Sequence, residues 1–303
     1  MIRLVIVVGP TAAGKSALAL HLAAAAGGEV LSADSQQVYR GMDVGTGKLG
    51  ADERARVRHH LIDVVDPDET MTAARFVALA DAAILDATER GRPIVVAGGT
   101  GLYVRALLFG LFEGPSADAA LRARLEASGA AALHARLATV DPEAAARILP
   151  NDLRRLVRAL EVHELTGVAI SAHQRAHDVR RAPPRYDARW VGLAPTRDEL
   201  RQRIDARVDG MFAAGLEEEW RALAARYPLE LRAFDAIGYR EMRGVLAGTL
   251  EGREAREQIQ AATRRYARRQ LGWFRSEPAI TWYNAPEMID VEALAAWLRA
   301  RSD

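Results

Sequence analysis

The chain has 303 residues, of which 50% are hydrophobic and 27% are charged, which excludes a disordered protein and suffices for one large domain or two modest ones. Its net charge of only +1 excludes nucleic-acid binding through a global positive field, so such binding must depend on local arginine clusters. The absence of cysteine excludes disulfides and zinc fingers. We expect a cytoplasmic protein, because no apolar stretch approaches the ~18 residues of a membrane helix and no signal-peptide pattern precedes the first strand.

The strongest local pattern lies near the start of the chain. A β-branched run over residues 2–8 predicts a strand, and residues 15–26 have the spacing of an amphipathic helix. Glycine-bounded backbone N–H groups between them would surround a phosphate, Lys15 would neutralise it, and the Ser16 hydroxyl could ligate Mg²⁺. We predict a di- or triphosphate site. The residues that match the phosphate-binding loop pattern are Gly9, Pro10, Thr11, Ala12, Ala13, Gly14, Lys15 and Ser16.

A second short strand, residues 29–33, leads directly into Asp34. Strand, helix and strand in so few residues predict a parallel βαβ unit with a right-handed crossover. Ligands bind outside the carboxyl ends of such strands, so we expect Gly9 and Asp34 to lie close together. The Asp34 carboxylate would hold magnesium through water or act as a base, and the alternative is a helix N-cap.

Glycine-rich segments follow. Residues 40–50 are too irregular for a regular element and predict a loop that is mobile or covers a ligand. A short apolar strand within residues 59–67 and a helix over residues 72–90 come next. A buried strand from residue 93 then runs into Gly98, Gly99 and Thr100, where a nucleotide hydrolase would favour an aspartate. We expect these glycines to let a substrate approach the backbone, and the alternative is a plain strand-to-helix turn.

From residue 114 the pattern is helical, which indicates an insertion between strands. One helix opens at Ser116, a second is capped by Asp141 before a proline, and a third runs from residue 151 to about Gly167. The third carries a cluster of arginines, which is either a solvated face or a phosphate-binding one. His173 and His177 share a helix face but lack a third metal ligand, so we interpret them as surface residues.

The last third returns to the sheet and ends in a basic helix. Residues 189–193 predict a strand, Thr196 and Glu199 form a capping box for a helix reaching Gly215, and residues 236–241 form a turn between helices. Residues 253–275 predict a long helix with no acidic residue after position 263. Its basic stripes and aromatics favour RNA binding, the alternative being a merely basic surface helix. The residues concerned are Arg264, Arg265, Arg268, Arg269, Arg275, Tyr266, Trp273 and Phe274.

Together these stretches resemble the tRNA dimethylallyltransferase family over nearly the whole chain. The resemblance depends on the phosphate loop, residues 32–46, 60–63 and 98–103, and residues 150–161, 238–240 and 269–275. It implies an α/β fold with a P-loop NTPase-like parallel sheet flanked by helices. Residues 1–114 and 188–303 would form this core, and residues 115–187 an all-helical insertion that clamps RNA. Departures at Ser16, Gly47, Leu49 and Gly272 affect RNA contacts more than chemistry.

The resemblance implies transfer of a dimethylallyl group from its pyrophosphate to the exocyclic amine of the adenosine 3′ to a tRNA anticodon. Mg²⁺ would be the cofactor, and the catalytic residues would be Asp34, Thr100 and Arg207. The protein would be a monomer that binds tRNA and dimethylallyl pyrophosphate. The adenosine would have to leave the anticodon-loop stack. The tRNA-binding residues implied are Asp34, Ser35, Gln36, Gln37, Thr100, Arg122, Arg154, Arg155, Arg158, Gly238, Tyr239, Arg240, Arg268, Arg269, Gln270, Trp273 and Arg275.

Three other functions are compatible with parts of the sequence. A small-molecule P-loop kinase would need an arginine-rich lid and leaves the basic C-terminal helix unexplained. A prenyltransferase acting on free adenine nucleotide would need neither that helix nor the arginines of the insertion. A non-enzymatic RNA-binding module would not need an intact phosphate loop with Asp34 behind it.

Overall fold

The computed structural model describes residues 1–112, 114–177 and 182–300. A parallel sheet of six strands, in the order β3-β2-β4-β1-β5-β6, organises the core and confirms the predicted α/β class. Strand β1 is central, and its residues from Leu4 to Val8 are inaccessible to solvent, which explains why it reads as one apolar run. The strands are β1 (Arg3–Val8), β2 (Glu29–Ser32), β3 (His59–His60), β4 (Ile94–Gly98), β5 (Asp187–Leu193) and β6 (Ile280–Tyr283).

Helices connect the strands and form most of the remaining structure. The residues described include short 3₁₀ turns at Arg232–Asp235 and Pro286–Met288. No helix in these ranges is long and apolar enough to cross a membrane. The helices are α1 (Lys15–Ala26), α2 (Ala51–Arg56), α3 (Ala73–Glu89), α4 (Gly101–Phe109), α5 (Ala119–Ala127), α6 (Ala130–Val140), α7 (Pro142–Arg147), α8 (Leu153–Thr166), α9 (Ile170–Ala176), α10 (Arg197–Ala213), α11 (Leu216–Ala224), α12 (Tyr239–Leu246), α13 (Gly252–Phe274) and α14 (Val291–Arg299).

The chain divides into two compact units. One comprises Met1–Leu108 and Pro184–Asp303 and contains the sheet, and the other comprises Phe109–Pro183 and is helical. The domains expected at 1–114 with 188–303 and at 115–187 stay a prediction, because grouping in space does not show that each part folds alone. Residues 178–181 and 301–303, which fall within those expected domains, lie outside the described residues.

Strand register places the ends of β1, β2 and β4 together. Val8 pairs with Gly98, and Ser32 pairs with Ala97. Strands β1 and β2 run parallel as predicted, but β4 lies between them, so they are not neighbours. The first turn of α1 and the residue after β2 therefore face one crevice at the carboxyl edge of the sheet.

Several predicted boundaries need correction. The strand expected within residues 59–67 pairs with β2 only at His59–His60, because positive φ angles of 61° at Leu61 and 58° at Asp63 turn the chain out of the sheet. Helix α5 begins at Ala119, since the carboxylate of Asp118, and not Ser116, caps it by accepting from Leu121 N at 2.9 Å. The predicted extent of α1, the caps of α8 and the capping box of α10 are confirmed.

The helical unit contains a buried ion-pair cluster. Glu161, on α8, is fully buried; its carboxylate accepts bonds from Arg122 and from Arg158 at 2.8 and 2.7 Å and from Asp118 N at 2.9 Å. Burial alone would raise the Glu161 pKa, but these hydrogen bonds outweigh it and lower the pKa to about 2. Two arginines predicted to bind RNA thus stabilise the insertion itself.

We expect Glu161→Gln to lower the free energy of unfolding by about 2 kcal/mol at about pH 7, because it breaks this buried charged cluster. The carboxylate stabilises the fold above the ordinary glutamate pKa, and this stabilisation is lost as the pH falls toward 2. Urea unfolding of the full chain at about pH 7 and about pH 3 measures both effects. Glu164→Gln is the control, because its partners Arg124 and Arg136 are 72% and 48% exposed and exposed ion pairs stabilise a fold little. If Glu164→Gln lowered the free energy of unfolding as much as Glu161→Gln, burial of the cluster would not explain the effect.

His173 and His177 are only partly exposed, which corrects their interpretation as surface residues. The His173 ring stacks on Phe112 with the ring centroids 5.8 Å apart. Within the described ranges, no three of the His, Asp and Glu side chains are arranged to hold a metal ion. His173 therefore packs within the helical unit.

Candidate functional site

A cavity of about 340 Å³ lies at the carboxyl edge of the sheet in the first unit. It brings together phosphate-loop residues, the segment after β2 and side chains from α10 and α13. Both Lys15 and Asp34 line it, as the expected proximity of the two strand ends required. The other predicted site residues that line it are Thr11, Ser16, Ser35, Gln36, Gln37, Arg207, Arg240, Arg269 and Gln270.

The phosphate loop has the backbone conformation that its glycines permit. Gly9 has a φ of 142°, and a Cβ there would collide with the carbonyl oxygen of Leu193. Gly14, with a φ of 96°, precedes the first turn of α1. The Lys15 Nζ donates to the carbonyl oxygen of Pro10 at 2.7 Å, which folds the ammonium group over the loop. The loop and the helix N-terminus can therefore surround an anion.

Charges of both signs meet in this cavity. Burial lowers the pKa of Lys15 to about 8, an effect that Arg207 reinforces and the Asp34 carboxylate opposes. Burial also lowers the pKa of Arg207, again against the influence of Asp34. Two cations next to one carboxylate form a site for an anion that carries more than one charge.

Asp34 has one engaged and one available carboxylate oxygen. Its Oδ1 accepts from Gln36 N at 2.8 Å and from Gln37 N at 3.3 Å, so it caps a turn rather than the helix of the alternative interpretation. Its Oδ2 receives no hydrogen bond from the residues that the structure describes. The turn holds the carboxylate in place and leaves one oxygen for a ligand.

The neighbouring Gln36 carries an unused acceptor. Its Oε1 is buried at the cavity and has no hydrogen-bond partner among the described residues. A buried acceptor without a partner costs free energy until a donor reaches it. Gln36 and Asp34 together thus offer two acceptors to a ligand with N–H groups.

Thr100 supports this turn and does not line the cavity. Its Oγ1 accepts from Ser35 N at 3.0 Å. Packing accounts for the glycines before it, since a Cβ at Gly98 would collide with Ala33 O, and one at Gly99 with the Gln270 side chain. Gly98 also lines the cavity. The expected close approach of a substrate to this backbone stays a prediction.

Gln270 joins the phosphate loop to the end of β4. Its Oε1 accepts from Thr11 N at 2.8 Å, and its Nε2 donates to Gly99 O at 3.0 Å. The side chain is buried, with 5% exposed. Gln270 borders the cavity and uses both ends of its amide within the protein, so it supports the loop. Its expected contact with tRNA stays a prediction.

The glycine-rich loop of residues 40–50 covers part of the cavity through Gly45 and Thr46. The Glu219 carboxylate holds it by accepting from the backbone N–H groups of Asp43, Val44 and Gly45 at 2.8, 2.7 and 3.0 Å. Of the two predicted alternatives for this loop, a mobile segment or one that covers a ligand, the structure favours a loop that is held in place over the cavity.

Two buried residues, Gly238 and Tyr239, lie near this loop. Tyr239 is fully buried and donates its hydroxyl hydrogen to Glu219 at 2.6 Å, so it supports the loop, and its expected contact with tRNA stays a prediction. Its neighbour Gly238 is also buried and donates its N–H to Glu241. Arg207 donates to Thr46 O at 3.0 Å, so the loop positions the guanidinium at the cavity.

The arginines of α13 differ from one another. Arg264 forms an ion pair with Asp205 on α10, so this member of the predicted RNA-binding set is a structural partner. Arg265, Arg268, Arg269 and Arg275 are exposed and form no ion pair with any residue described. Trp273 packs against Gly101, with the Arg105 guanidinium 4.2 Å from its ring centroid. The four exposed arginines form a basic surface next to the cavity.

The helical unit carries the other predicted arginines. Arg122 and Arg158 bind Glu161, as described above. Arg155 is largely exposed and pairs with Asp152 at 3.3 Å, and Arg154 precedes it on α8. The structure leaves their proposed contacts with RNA as predictions.

Sequence patterns missed the apolar wall of the cavity and assigned Tyr266 only to the basic, RNA-binding face of α13. Ile259, Thr263 and Tyr266 line the cavity together with Gln270, and their spacing of three to four residues marks one face of α13. That spacing was a usable signal, obscured by the many arginines of the same helix. The apolar side chains of the wall are Val208, Met211, Ile237 and Ile259.

Comparison with known proteins gives matches along the chain. The family model described as IPP transferase matches residues 37–277. A tRNA dimethylallyltransferase of Anaeromyxobacter dehalogenans (strain 2CP-C) is 56% identical over 303 residues, with 99% of this chain and 100% of that protein covered. One of Geobacter sulfurreducens is 51% identical over 293 residues, with 95% and 94% covered.

Solved structures are similar over the same length. The full-length tRNA isopentenylpyrophosphate transferase from Bacillus halodurans has a TM-score of 0.71 and 41% identity, with 99% of this chain and 95% of that chain covered. A eukaryotic dimethylallyltransferase acting on tRNA has a TM-score of 0.82 and 27% identity, with 98% and 77% covered. The chain therefore belongs to the tRNA dimethylallyltransferase family, enzymes with a P-loop NTPase-like α/β fold.

Proposed function

We propose that this enzyme transfers a dimethylallyl group from dimethylallyl pyrophosphate to the exocyclic amine of the adenosine 3′ to the anticodon in tRNA, releasing pyrophosphate. One observation carries the proposal: the same cavity contains a phosphate loop with two cations, a carboxylate with a free oxygen and an apolar wall. These are the groups needed for a pyrophosphate, an amine and a prenyl tail. The names of the relatives support the same substrates.

Lys15, the loop amides and Arg207 would bind the pyrophosphate. The bond from its oxygen to the allylic carbon breaks, and the electron pair stays with the leaving pyrophosphate, where negative charge grows. Fixed cations and N–H groups stabilise such charge best when they are already in position. The hydrogen bond from Arg207 to the covering loop and the brace from Gln270 to Thr11 provide that positioning.

The apolar wall would hold the dimethylallyl tail and keep water from the allylic carbon. The adenosine amine attacks that carbon and forms the new C–N bond. Its surplus proton passes to the free Asp34 oxygen, and Gln36 Oε1 accepts from the remaining N–H. Because an adenine amine is a poor nucleophile, its placement against the allylic carbon contributes strongly to the rate.

The residues present also fit magnesium. The Ser16 hydroxyl is exposed at the cavity beside the phosphate loop, and magnesium often binds through one or two protein oxygens together with phosphate oxygens and waters. Ser16 would hold it, and Asp34, which lines the same cavity, would bind it through water. When bound, the ion would supply further positive charge for the leaving pyrophosphate.

The target adenosine would leave the anticodon-loop stack, at a cost of a few kcal/mol that other contacts must offset. The exposed Arg268, Arg269 and Arg275 on α13, and the arginines of the helical unit, would supply contacts to RNA phosphates. Ser35 and Gln37 would support the displaced base, and the Trp273 ring borders the same surface. Monomeric state and cytoplasmic location stay predictions from the sequence.

The proposal is tested by offering labelled dimethylallyl pyrophosphate and magnesium with either an anticodon stem-loop or free AMP. We expect label in the stem-loop alone, attached to the adenosine 3′ to the anticodon. Label in AMP alone would support the free-nucleotide prenyltransferase instead. Label in neither would overturn the proposed donor and favour a kinase.

We also expect Glu219→Ala to lower kcat/KM for the stem-loop by about 10- to 100-fold, because the N–H groups of residues 43–45 lose their acceptor and the cover that holds Arg207 loosens. Steady-state kinetics with both substrates measure this. Glu218→Ala, at an exposed neighbouring position, is the control and should keep wild-type kinetics. Equal activity of both variants would show that the cover needs no anchor.

A further inference from the structure

Tyr266 is a polar group of the cavity that the mechanism above does not use. It lies on α13 one turn from both Thr263 and Gln270, which also line the cavity. The Arg269 guanidinium is 5.7 Å from the centroid of its ring. Tyr266 therefore borders the cavity that would receive the base.

The phenol is a hydrogen-bond donor at working pH. Burial raises its pKa, the nearby Asp34 carboxylate raises it further, and Arg269 and a hydrogen bond with Gln270 only partly oppose this. Gln270 is itself held by Thr11 and Gly99, so the phenol oxygen has a fixed neighbour. No described residue joins Tyr266 to Asp34 by a hydrogen bond, although the charge of Asp34 influences it. The hydroxyl hydrogen is therefore available to a ligand.

Most other polar side chains near Asp34 already have partners. The Gln37 amide accepts from Ser32 and donates to Gly47 O. Lys15 donates to Pro10 O, and both Lys15 and Arg207 would serve the pyrophosphate. Tyr266 is thus a neutral donor in the cavity that holds the Asp34 acceptor.

An acceptor next to a donor matches the pairing edge of adenine. The exocyclic amine of adenine donates, and the adjacent ring nitrogen N1 accepts, whereas guanine presents the opposite order at these two positions. A flipped base is read through hydrogen bonds to this edge. We propose, building on the proposed function, that Tyr266 donates to N1 of the target adenine while Asp34 accepts from its amine, so that the pair selects adenine over guanine.

The test is a cycle of enzyme and substrate changes. Wild type and Tyr266→Phe, which keeps the ring and removes the hydroxyl, each react with two stem-loops, carrying adenosine or 1-deazaadenosine at the target. The deaza base keeps the amine and replaces the N1 acceptor by C–H. Single-turnover rates of prenyl transfer give the coupling between the two changes. Tyr227→Phe is the control, since Tyr227 packs against Phe234 and does not line the cavity.

We expect Tyr266→Phe to be about tenfold slower with adenosine, and about equal to wild type with the deaza base, since each change removes the same hydrogen bond. Losses that simply multiply in the double change would overturn the inference and assign Tyr266 a packing role. Wild type that fails to prenylate the adenosine stem-loop would overturn the proposed function and this inference with it. The two failures are therefore distinguishable.

Discussion

Asp34→Asn is expected to lower the single-turnover rate of prenyl transfer by about 100- to 10,000-fold. The asparagine oxygen still accepts from Gln36 N and Gln37 N, so the turn that positions residue 34 stays intact. The variant loses the negative charge and the basicity of the free oxygen. Rapid-quench measurements with the labelled donor and a stem-loop, with RNA affinity measured separately, show whether the loss lies in chemistry.

The matched control is Asp68→Asn, which removes an aspartate charge from an exposed turn and should keep the wild-type rate. We expect the RNA affinity of Asp34→Asn to remain within about threefold of wild type, because one hydrogen bond to the base is weakened and not lost. Near-normal single-turnover chemistry in Asp34→Asn would refute its role as a base. Asp34 would then act only by positioning the amine.

Lys15→Met is expected to weaken the binding of pyrophosphate by about 10- to 100-fold, because a charge-assisted hydrogen bond to the ligand is lost. In the free enzyme Lys15 has a pKa of about 8, and pyrophosphate favours its charged form. Below that pH the ammonium is already charged, and Lys15 adds no pH dependence. Above it, binding must take up a proton, so the affinity of wild type falls as the pH rises.

Calorimetric titration of both proteins between about pH 7 and about pH 9.5 separates this effect from the ionisation of pyrophosphate itself. The ionisation of pyrophosphate changes the affinity of both proteins in the same way, and only the affinity of wild type also depends on the charge of Lys15. We expect the affinity difference between them to shrink as the pH rises. A constant difference across this range would show that the Lys15 ammonium does not control binding.

Local signals predicted much of the fold. The extent of α1 and the ends of α8 follow from glycine stops and an aspartate cap, which act within a few residues. The phosphate loop and Asp34 were identified because their spacing and the parallel strand order bring strand ends to one edge. These features need no knowledge of distant partners.

Long-range partners could not be predicted from local pattern. Gln270 acts on Thr11 across 259 positions of the sequence, and α13 looks basic because its arginines outnumber the side chains of its cavity face. Tyr239 matched a family motif, yet its place in the core follows from packing against Trp220 and Phe234. Likewise, the buried Glu161 turns two arginines of a seemingly solvated face into structural partners.

The central claim is that the phosphate loop holds dimethylallyl pyrophosphate and not a nucleoside triphosphate. Competition binding to wild type, with labelled dimethylallyl pyrophosphate displaced by either inorganic pyrophosphate or ATP, tests it most directly. We expect displacement by pyrophosphate, little displacement by equal concentrations of ATP, and loss of binding in Lys15→Met. Tight binding of ATP that dimethylallyl pyrophosphate cannot displace would contradict it.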